Sequence, residues 1–394
     1  MIDLNSAQSA LKDAYLSAVS NVLNTKTNPL FAKIKQSSND VYGRQIIKVA
    51  PFGINGGIGA GSETGELPTA NGNNYIQLKT TLKNLYGTLE ISDKAVRTSA
   101  SSNGAFVDLL SAEMEGLLNS SKFNLSRMLY GDGTGAVAVV KSYEDGVATM
   151  ESVKNLIEGM VVDVYTSNGI ASANTGLRIK YVDRAAKSVT FATTPAVAIT
   201  DGDILYVQGS KDNEITGIGA IFNSSANIYG LNRTENPWLK PYTSTEAKEI
   251  SDTVIQTAID FLEENSSSNI DLITCGAGVR RAYLEYLACY RRNVDVVEME
   301  GGYKAISFGG IPMVADRFVE DDTMFLLDTS KFTLHQLCDW EWIEGEGGNI
   351  LRQKPGYPAY TATLVKYADL ICDQPNGIAK ISGIKSTVTN PFVS

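Results

Sequence analysis

Few residues in this sequence could carry acid–base, nucleophilic or metal chemistry, and those few are scattered. There is one histidine, His335. A single imidazole removes multi-histidine metal sites and leaves one candidate for His-dependent activation of a nucleophile. Phe332-Thr333-Leu334-His335-Gln336-Leu337 alternates like a strand, so His335 is expected as a partly buried strand residue and not a base. The four cysteines, Cys275, Cys289, Cys338 and Cys372, contain no C-x-x-C pair. Structural zinc needs closely paired thiolates, and disulfide scaffolds need far more cysteine. All four read as buried small hydrophobes or incidental thiols.

Three other stretches imitate ligand sites. Ile270-Asp271-Leu272-Ile273-Thr274-Cys275 runs into Gly276-Ala277-Gly278 like a strand turning into a phosphate-binding helix. Arg281 stands where the dinucleotide fingerprint needs its third glycine, so a tight strand-to-helix turn is expected instead. Gly131-Asp132-Gly133-Thr134-Gly135 fits neither an EF-hand nor a Walker sequence and reads as a glycine-rich helix stop. Asp339, Glu341, Glu344 and Glu346, interleaved with Trp340 and Trp342, could hold a cation or a carbohydrate; the expected meaning is a strand ending in a solvated acidic turn. No catalytic, metal or cofactor-binding residue is assigned, no cofactor is expected, and the chain is not read as an enzyme.

The bulk composition agrees. The net charge is −10 and no basic block occurs, whereas holding nucleic acid by phosphate neutralisation needs clustered Lys and Arg. If the chain surrounds DNA it does so as a wall, whose acidic lining repels phosphates. At 394 residues, two or three domains are expected. No apolar run approaches the ~18 residues of a membrane span. Met1-Ile2-Asp3-Leu4-Asn5-Ser6 lacks the basic and apolar regions of a signal peptide, so folding in the cytosol and no membrane partner are expected.

The elements explain more than the chemistry. Leu4, Ala7, Leu11, Ala14, Ala18 and Val22 share one helical face, with Asp3 as N-cap and Asn28-Pro29 as the break. Residues 44–50 read as a strand. Residues 53–74 then hold seven glycines, four asparagines and one proline, with almost nothing to build a core. A second strand spans 75–91, its phase shifting by one near Asn84 as at a bulge. Seventeen extended residues would reach ~55 Å at about 3.3 Å each. Such a ribbon exceeds one compact domain, and hairpins are marginal alone, so it needs a partner surface. That implies assembly.

Residues 105–130 form a long helix of ~39 Å, with Ser101-Ser102-Asn103 as N-cap candidates and Gly131 at its end. Residues 136–216 change to short runs at 160–166, 177–182, 188–191 and 204–208 between turn signals, a small all-β module. Beyond it, Thr243 and Glu246 fit a capping box opening a helix with Ala247, Ile250, Val254, Ala258, Phe261 and Leu262 on one face. A strand at 270–275 and a helix at 279–290 follow, then strands near 304–308, 311–315 and 323–328. The remainder is mostly extended, at 331–343, 349–353, 359–372 and 377–384.

In this order the chain resembles the major capsid proteins of tailed phages, the family with the Hong Kong 97 capsid fold. Leu85-Tyr86-Gly87-Thr88-Leu89-Glu90-Ile91-Ser92-Asp93 looks like the end of the family's extended loop. Glu113–Gly135, through Phe123-Asn124-Leu125-Ser126-Arg127-Met128-Leu129-Tyr130, looks like its spine helix and glycine turn. Gly301-Gly302-Tyr303-Lys304 through Ile311-Pro312-Met313-Val314-Ala315-Asp316 resembles the axial-domain pattern. Tyr367-Ala368-Asp369-Leu370-Ile371-Cys372 through Ile384 resembles the closing peripheral strands. In such proteins a Gly-x-x-Gly-like segment soon follows the glycine turn; here Ile215-Thr216-Gly217-Ile218-Gly219-Ala220 comes about 80 residues later. Residues 136–216 are therefore expected as an inserted compact barrel, outward-facing or bracing the capsomer.

The resemblance implies an α+β, Hong Kong 97-type fold divided into an N-terminal arm (1–40), an extended β-hairpin loop (41–92), a peripheral domain with the spine helix (93–135), an inserted small β-barrel domain (136–216), more peripheral domain (217–244), an axial domain (245–333) and closing peripheral strands (334–394). It implies a major head protein that self-assembles into pentamers and hexamers of an icosahedral shell. Such a shell encloses double-stranded DNA in the virion, without sequence-specific binding, after assembly in the host bacterial cytoplasm. A portal protein, a separate scaffolding protein and a possible decoration protein are the implied partners. An encapsulin-like nanocompartment shell is the alternative on the same fold. A cell-surface or tail-fibre β protein fits less well, because of the spine helix and the α/β segment. Some relatives weld the shell through a loop lysine, and 53–74 contains none, so no loop-tip cross-link is expected. Glu63 and Glu66 are candidates for contacting a neighbour's arginine, with Arg44, Lys79 and Lys83 as further inter-subunit contact candidates.

Overall fold

The computed structural model describes residues 28–94, 103–246, 248–289, 296–299, 303–345 and 350–385. The helix expected at 4–23, the caps Ser101-Ser102, and Ala247, Gly301-Gly302 and Glu346 lie outside the described residues.

Asn28 opens the short helix α1 (Pro29–Lys33): its Oδ1 accepts from the Leu30 amide at 2.8 Å, and Pro29 fills a position that needs no donor. After β1 (Lys35–Ser37), β2 (Gln45–Phe52) and β3 (Asn74–Thr81) make an antiparallel hairpin of eight residue pairs, Gln45 opposite Thr81 through Phe52 opposite Asn74. β4 (Lys83–Ser92) begins one residue later. The single strand expected over 75–91 is thus two strands, broken at Leu82. The parity shift read as a bulge marks the chain leaving one sheet for another: β3 turns Leu78 inward, while β4 turns Leu85, Leu89 and Ile91 inward. The regular ribbon is correspondingly shorter, roughly 27 Å at about 3.4 Å per residue.

α2 (Asn103–Tyr130) buries Met114, Leu118, Leu125, Met128 and Leu129 along one face. Six strands follow: β5 (Ala136–Glu144), β6 (Val147–Met150), β7 (Val161–Tyr165), β8 (Leu177–Asp183), β9 (Ser188–Phe191) and β10 (Ile204–Val207). They close an antiparallel barrel in the order β9-β6-β5-β10-β7-β8. Asp145 and Gly146 both take positive φ in the turn between β5 and β6, the geometry that a two-residue hairpin demands. The barrel has its own apolar core, including Val140, Met150, Val164, Ile179, Val189 and Leu205.

Beyond the short helix α3 (Ile218–Phe222) come β11 (Tyr242–Ser244), α4 (Asp252–Ser266), β12 (Leu272–Cys275), α5 (Ala277–Cys289), β13 (Val296–Met299), β14 (Tyr303–Phe308), β15 (Ile311–Ala315) and β16 (Met324–Leu327). The capping box expected at Thr243 is not used. Ser251 caps α4, its Oγ accepting from the Val254 amide at 3.3 Å, and Ile250 precedes the helix. Thr243 lies in β11 because 242–244 finds a parallel partner in β19 (Ala379–Ile381), a distant pairing that no local pattern reveals. The seven-stranded sheet runs β11-β19-β16-β12-β15-β14-β13.

β17 (Phe332–Trp342) and β18 (Ala359–Cys372) form the second large sheet. β1 pairs parallel with β17, and β4 pairs with β18 over ten residues, from Ala359 opposite Ser92 to Ala368 opposite Lys83. One apolar cluster joins the hairpin root, α2 and these strands; a second lies around α4, α5 and the seven-stranded sheet. The outcome is the expected mixed α+β chain, and it includes a closed six-stranded barrel.

Candidate assembly surface

The β2–β3 hairpin is anchored at its root and bare at its tip. Ile46 and Leu78 are fully buried at the root. Lys48 Nζ reaches Asp373 Oδ2 at 2.7 Å and Thr333 Oγ1 at 3.3 Å, and the Lys79 amide donates to Tyr229 O at 2.9 Å. Between the strands, residues 53–73 form neither helix nor strand. Ile54, Ile58 and Leu67 there are 78%, 75% and 89% exposed.

The expected contact residues separate into two groups. Glu63 and Glu66 lie at the exposed tip, Glu63 within a turn closed by the Gly65 amide on Ser62 O. Arg44, Lys79 and Lys83 gather at the root. Arg44 and Lys79 are exposed, while Lys83 Nζ donates to Asp212 O at 2.8 Å within the same chain.

The root meets the barrel junction through Asp369, which sequence reasoning did not single out. This buried carboxylate accepts from Thr80 Oγ1 of the hairpin, from the Thr216 amide at 2.7 Å and from Thr216 Oγ1 at 3.1 Å. Burial pushes its pKa up, against these hydrogen bonds, which favour the charged form. Nearby, Arg127 of α2 forms a bidentate pair with Glu214, at 2.9 and 2.5 Å, both side chains 3% exposed. The chain enters and leaves the barrel side by side. A Cβ on Gly135 would stand 2.6 Å from Ser210 O, and one on Gly217 would stand 2.2 Å from Met128 O. Only glycine permits backbones so close. The barrel also touches the loop after β15: Lys154 Nζ donates to Val319 O at 2.9 Å and to Asp321 Oδ1 at 3.0 Å. Arg317 of that loop lies 5.0 Å above the Phe123 ring of α2.

The sites that imitated chemistry resolve into structure. His335 is 1% exposed, with Nδ1 3.0 Å from Asn39 O, and burial lowers its pKa. Gly276 and Gly278 admit the 320–321 backbone, and the Val279 amide already donates to Asp321 O at 3.0 Å, so that donor is not left for a phosphate. Asp339 departs from the solvated turn expected of it, accepting from the wholly buried Lys366 Nζ at 2.6 Å. The four cysteines are free; Cys275 and Cys372 are buried, and burial pushes the Cys275 thiol up to about 12. Among the described residues no group of three His, Cys, Asp or Glu is placed to hold a metal, and no helix is long and apolar enough to cross a membrane.

No family model and no curated protein matches this sequence. Solved structures do. The chain aligns with one of the cyanophage A-1(L) capsid asymmetric unit over 92% of each chain, with a TM-score of 0.51 and 10% identity. It aligns with the SrpI encapsulin of Synechococcus elongatus PCC 7942 over 93% of this chain and 92% of that one, at TM-score 0.45 and 8% identity. For Mycobacterium phage Bobi the coverage is 97% and 98%, the TM-score 0.43 and the identity 7%. The cyanophage likeness is one of fold: this chain has a phage capsid fold.

Proposed function

We propose that this chain is the major capsid protein of a tailed phage. Copies of it form rings of five and six that close into an icosahedral shell around double-stranded DNA. The observation that carries this reading is the hairpin: a phage capsid fold that anchors a loop at its root and leaves Ile54, Ile58 and Leu67 exposed at the tip. A lone protein gains nothing from that arrangement, whereas a shell subunit covers the loop with a neighbour. The net charge of −10 suits a container that does not grip its contents.

In this reading residues 41–92 are the extended loop, 93–135 and 217–244 with 334–394 the peripheral domain, 136–216 the inserted barrel, 245–333 the axial domain and 1–40 the arm. The shell is assembled in the host cytoplasm on a separate scaffolding protein around a portal, with room for a decoration protein. The protein acts by association and not by catalysis.

Co-expression with neighbouring phage genes, followed by sedimentation and nuclease treatment, tests the reading. Protected double-stranded DNA inside sedimenting particles is the expected result. Particles holding a protein cargo and no DNA would replace the head shell with an encapsulin-like compartment.

A further inference from the structure

We infer that residues 386–394 dock in an apolar groove beside α4 of their own chain. The inference stands apart from the shell reading and concerns a single copy. The groove has a volume of about 500 Å³ and runs between the outer face of α4 and strands β11 and β19. Val254, Ala258, Phe261 and Ile381 give it an apolar lining. Phe261 is 44% exposed, with the Tyr242 ring edge-on at 4.6 Å, and β11 is the outermost strand of its sheet. Water against such a strip is unfavourable, and an apolar segment laid along it displaces that water.

Charge narrows the choice of occupant. Two lysines border the groove. Lys380 turns its Nζ to the other face of the sheet, 5.9 Å from the centre of the Phe325 ring. Lys248 at the rim already meets Glu246 at 3.1 Å. A slot that offers no unmatched charge suits an uncharged segment. Ser386-Thr387-Val388-Thr389-Asn390-Pro391-Phe392-Val393-Ser394 carries no ionisable side chain and places Phe392 and Val393 directly after Pro391. Proline restricts the backbone and reduces the entropy lost on docking.

Position narrows it further. Ile384–Lys385 pairs in parallel with Lys248–Glu249, so the described chain leaves off one strand spacing from the rim. From Lys385, Phe392 can reach up to ~23 Å at about 3.3 Å per residue. A segment tethered so close needs only weak contacts to stay bound. Residues 1–27 join the described chain on the opposite side of the sheet. There Asn28 Nδ2 donates to Asp316 Oδ2 at 2.7 Å, and Phe31 packs with Leu272, Val314 and Phe325, on the face turned away from α4.

Two measurements on the full chain test this. The first is a double-mutant cycle of Phe261→Ser in the groove, Phe392→Ser in the segment, and both together. Each single change should lower the melting temperature by roughly 2–4 °C, and the second should add little once the first is made. A Phe392→Ser chain that melts like the parent, or losses that simply add, would overturn the inference. In the second, Cys289→Ser and Cys338→Ser remove the accessible thiols, and Asn390→Cys is combined with Thr257→Cys on the groove wall. Mild oxidation should give an intrachain disulfide, read by peptide mass spectrometry and by monomer mobility on non-reducing denaturing gels. Gln256→Cys, on the water-facing side of α4, should not link to Asn390→Cys. No disulfide with Thr257→Cys, a disulfide only between chains, or equal linking at 256 would each overturn docking in this groove of the same chain. Neither readout requires particles, so failure here leaves the shell reading standing.

Discussion

Arg127 on α2 and Glu214 at the exit of the barrel form a bidentate ion pair from which water is almost wholly excluded. The pair ties the exit of the barrel to the last turn of α2, and the two connections of the barrel pass through the same narrow place.

Removing one partner leaves a buried charge with no counter-ion. Glu214→Gln or Arg127→Met should therefore cost about 3–5 kcal/mol, whereas replacing both with apolar residues of similar volume should cost far less. Thermal unfolding of the three variants checks this. A single replacement that melts like the parent would show the pair to be dispensable.

Asp369 gives a pH signature. Its folded pKa is raised by burial, so the folded state holds the proton more tightly than the unfolded chain. Its contribution is then greatest below about pH 4 and is lost as pH rises through the folded value. Denaturant titrations of the parent and Asp369→Asn should show the parent losing ground to the variant as pH rises. Parallel curves would place no titration at this residue.

His335 should act in the opposite sense. Burial lowers its folded pKa, so stability is full above the ordinary histidine value of about 6.5 and is lost as pH falls below it. With a single histidine in the chain, His335→Gln should flatten the stability profile between about pH 5 and 7. The same slope in both proteins would assign it to another group.

Glycine substitutions separate the junction from the tip. Gly217→Ala places a methyl group 2.2 Å from Met128 O and should destabilise by at least about 1–3 kcal/mol or abolish soluble protein. Gly72→Ala meets nothing within 4 Å and should leave the melting temperature unchanged. In the same tip, Glu63→Gln with Glu66→Gln should also leave melting unchanged while lowering particle yield. Unaltered yield would remove both carboxylates from the assembly surface.

What the sequence reveals divides by distance along the chain. The long strand at 359–372 and the helix ending at Gly131 were legible from alternation and a stop signal, both local. The break at Leu82 was visible only as a parity shift, because parity does not say which sheet a strand joins. Thr243 reads locally as a cap because its strand partner, Lys380, lies more than a hundred residues away. The hairpin of β5 and β6 has a local signal in Asp145-Gly146, both at positive φ. The ion pairs Arg127–Glu214 and Lys366–Asp339, and the node at Asp369, join residues through strand register and tertiary packing. No spacing rule reaches them.

The central claim is assembly, and negative-stain microscopy after size-exclusion chromatography, with and without neighbouring phage genes, tests it most directly. The account predicts closed shells, or rings of five and six. A clean monomer in both preparations, under several salt conditions, would contradict it.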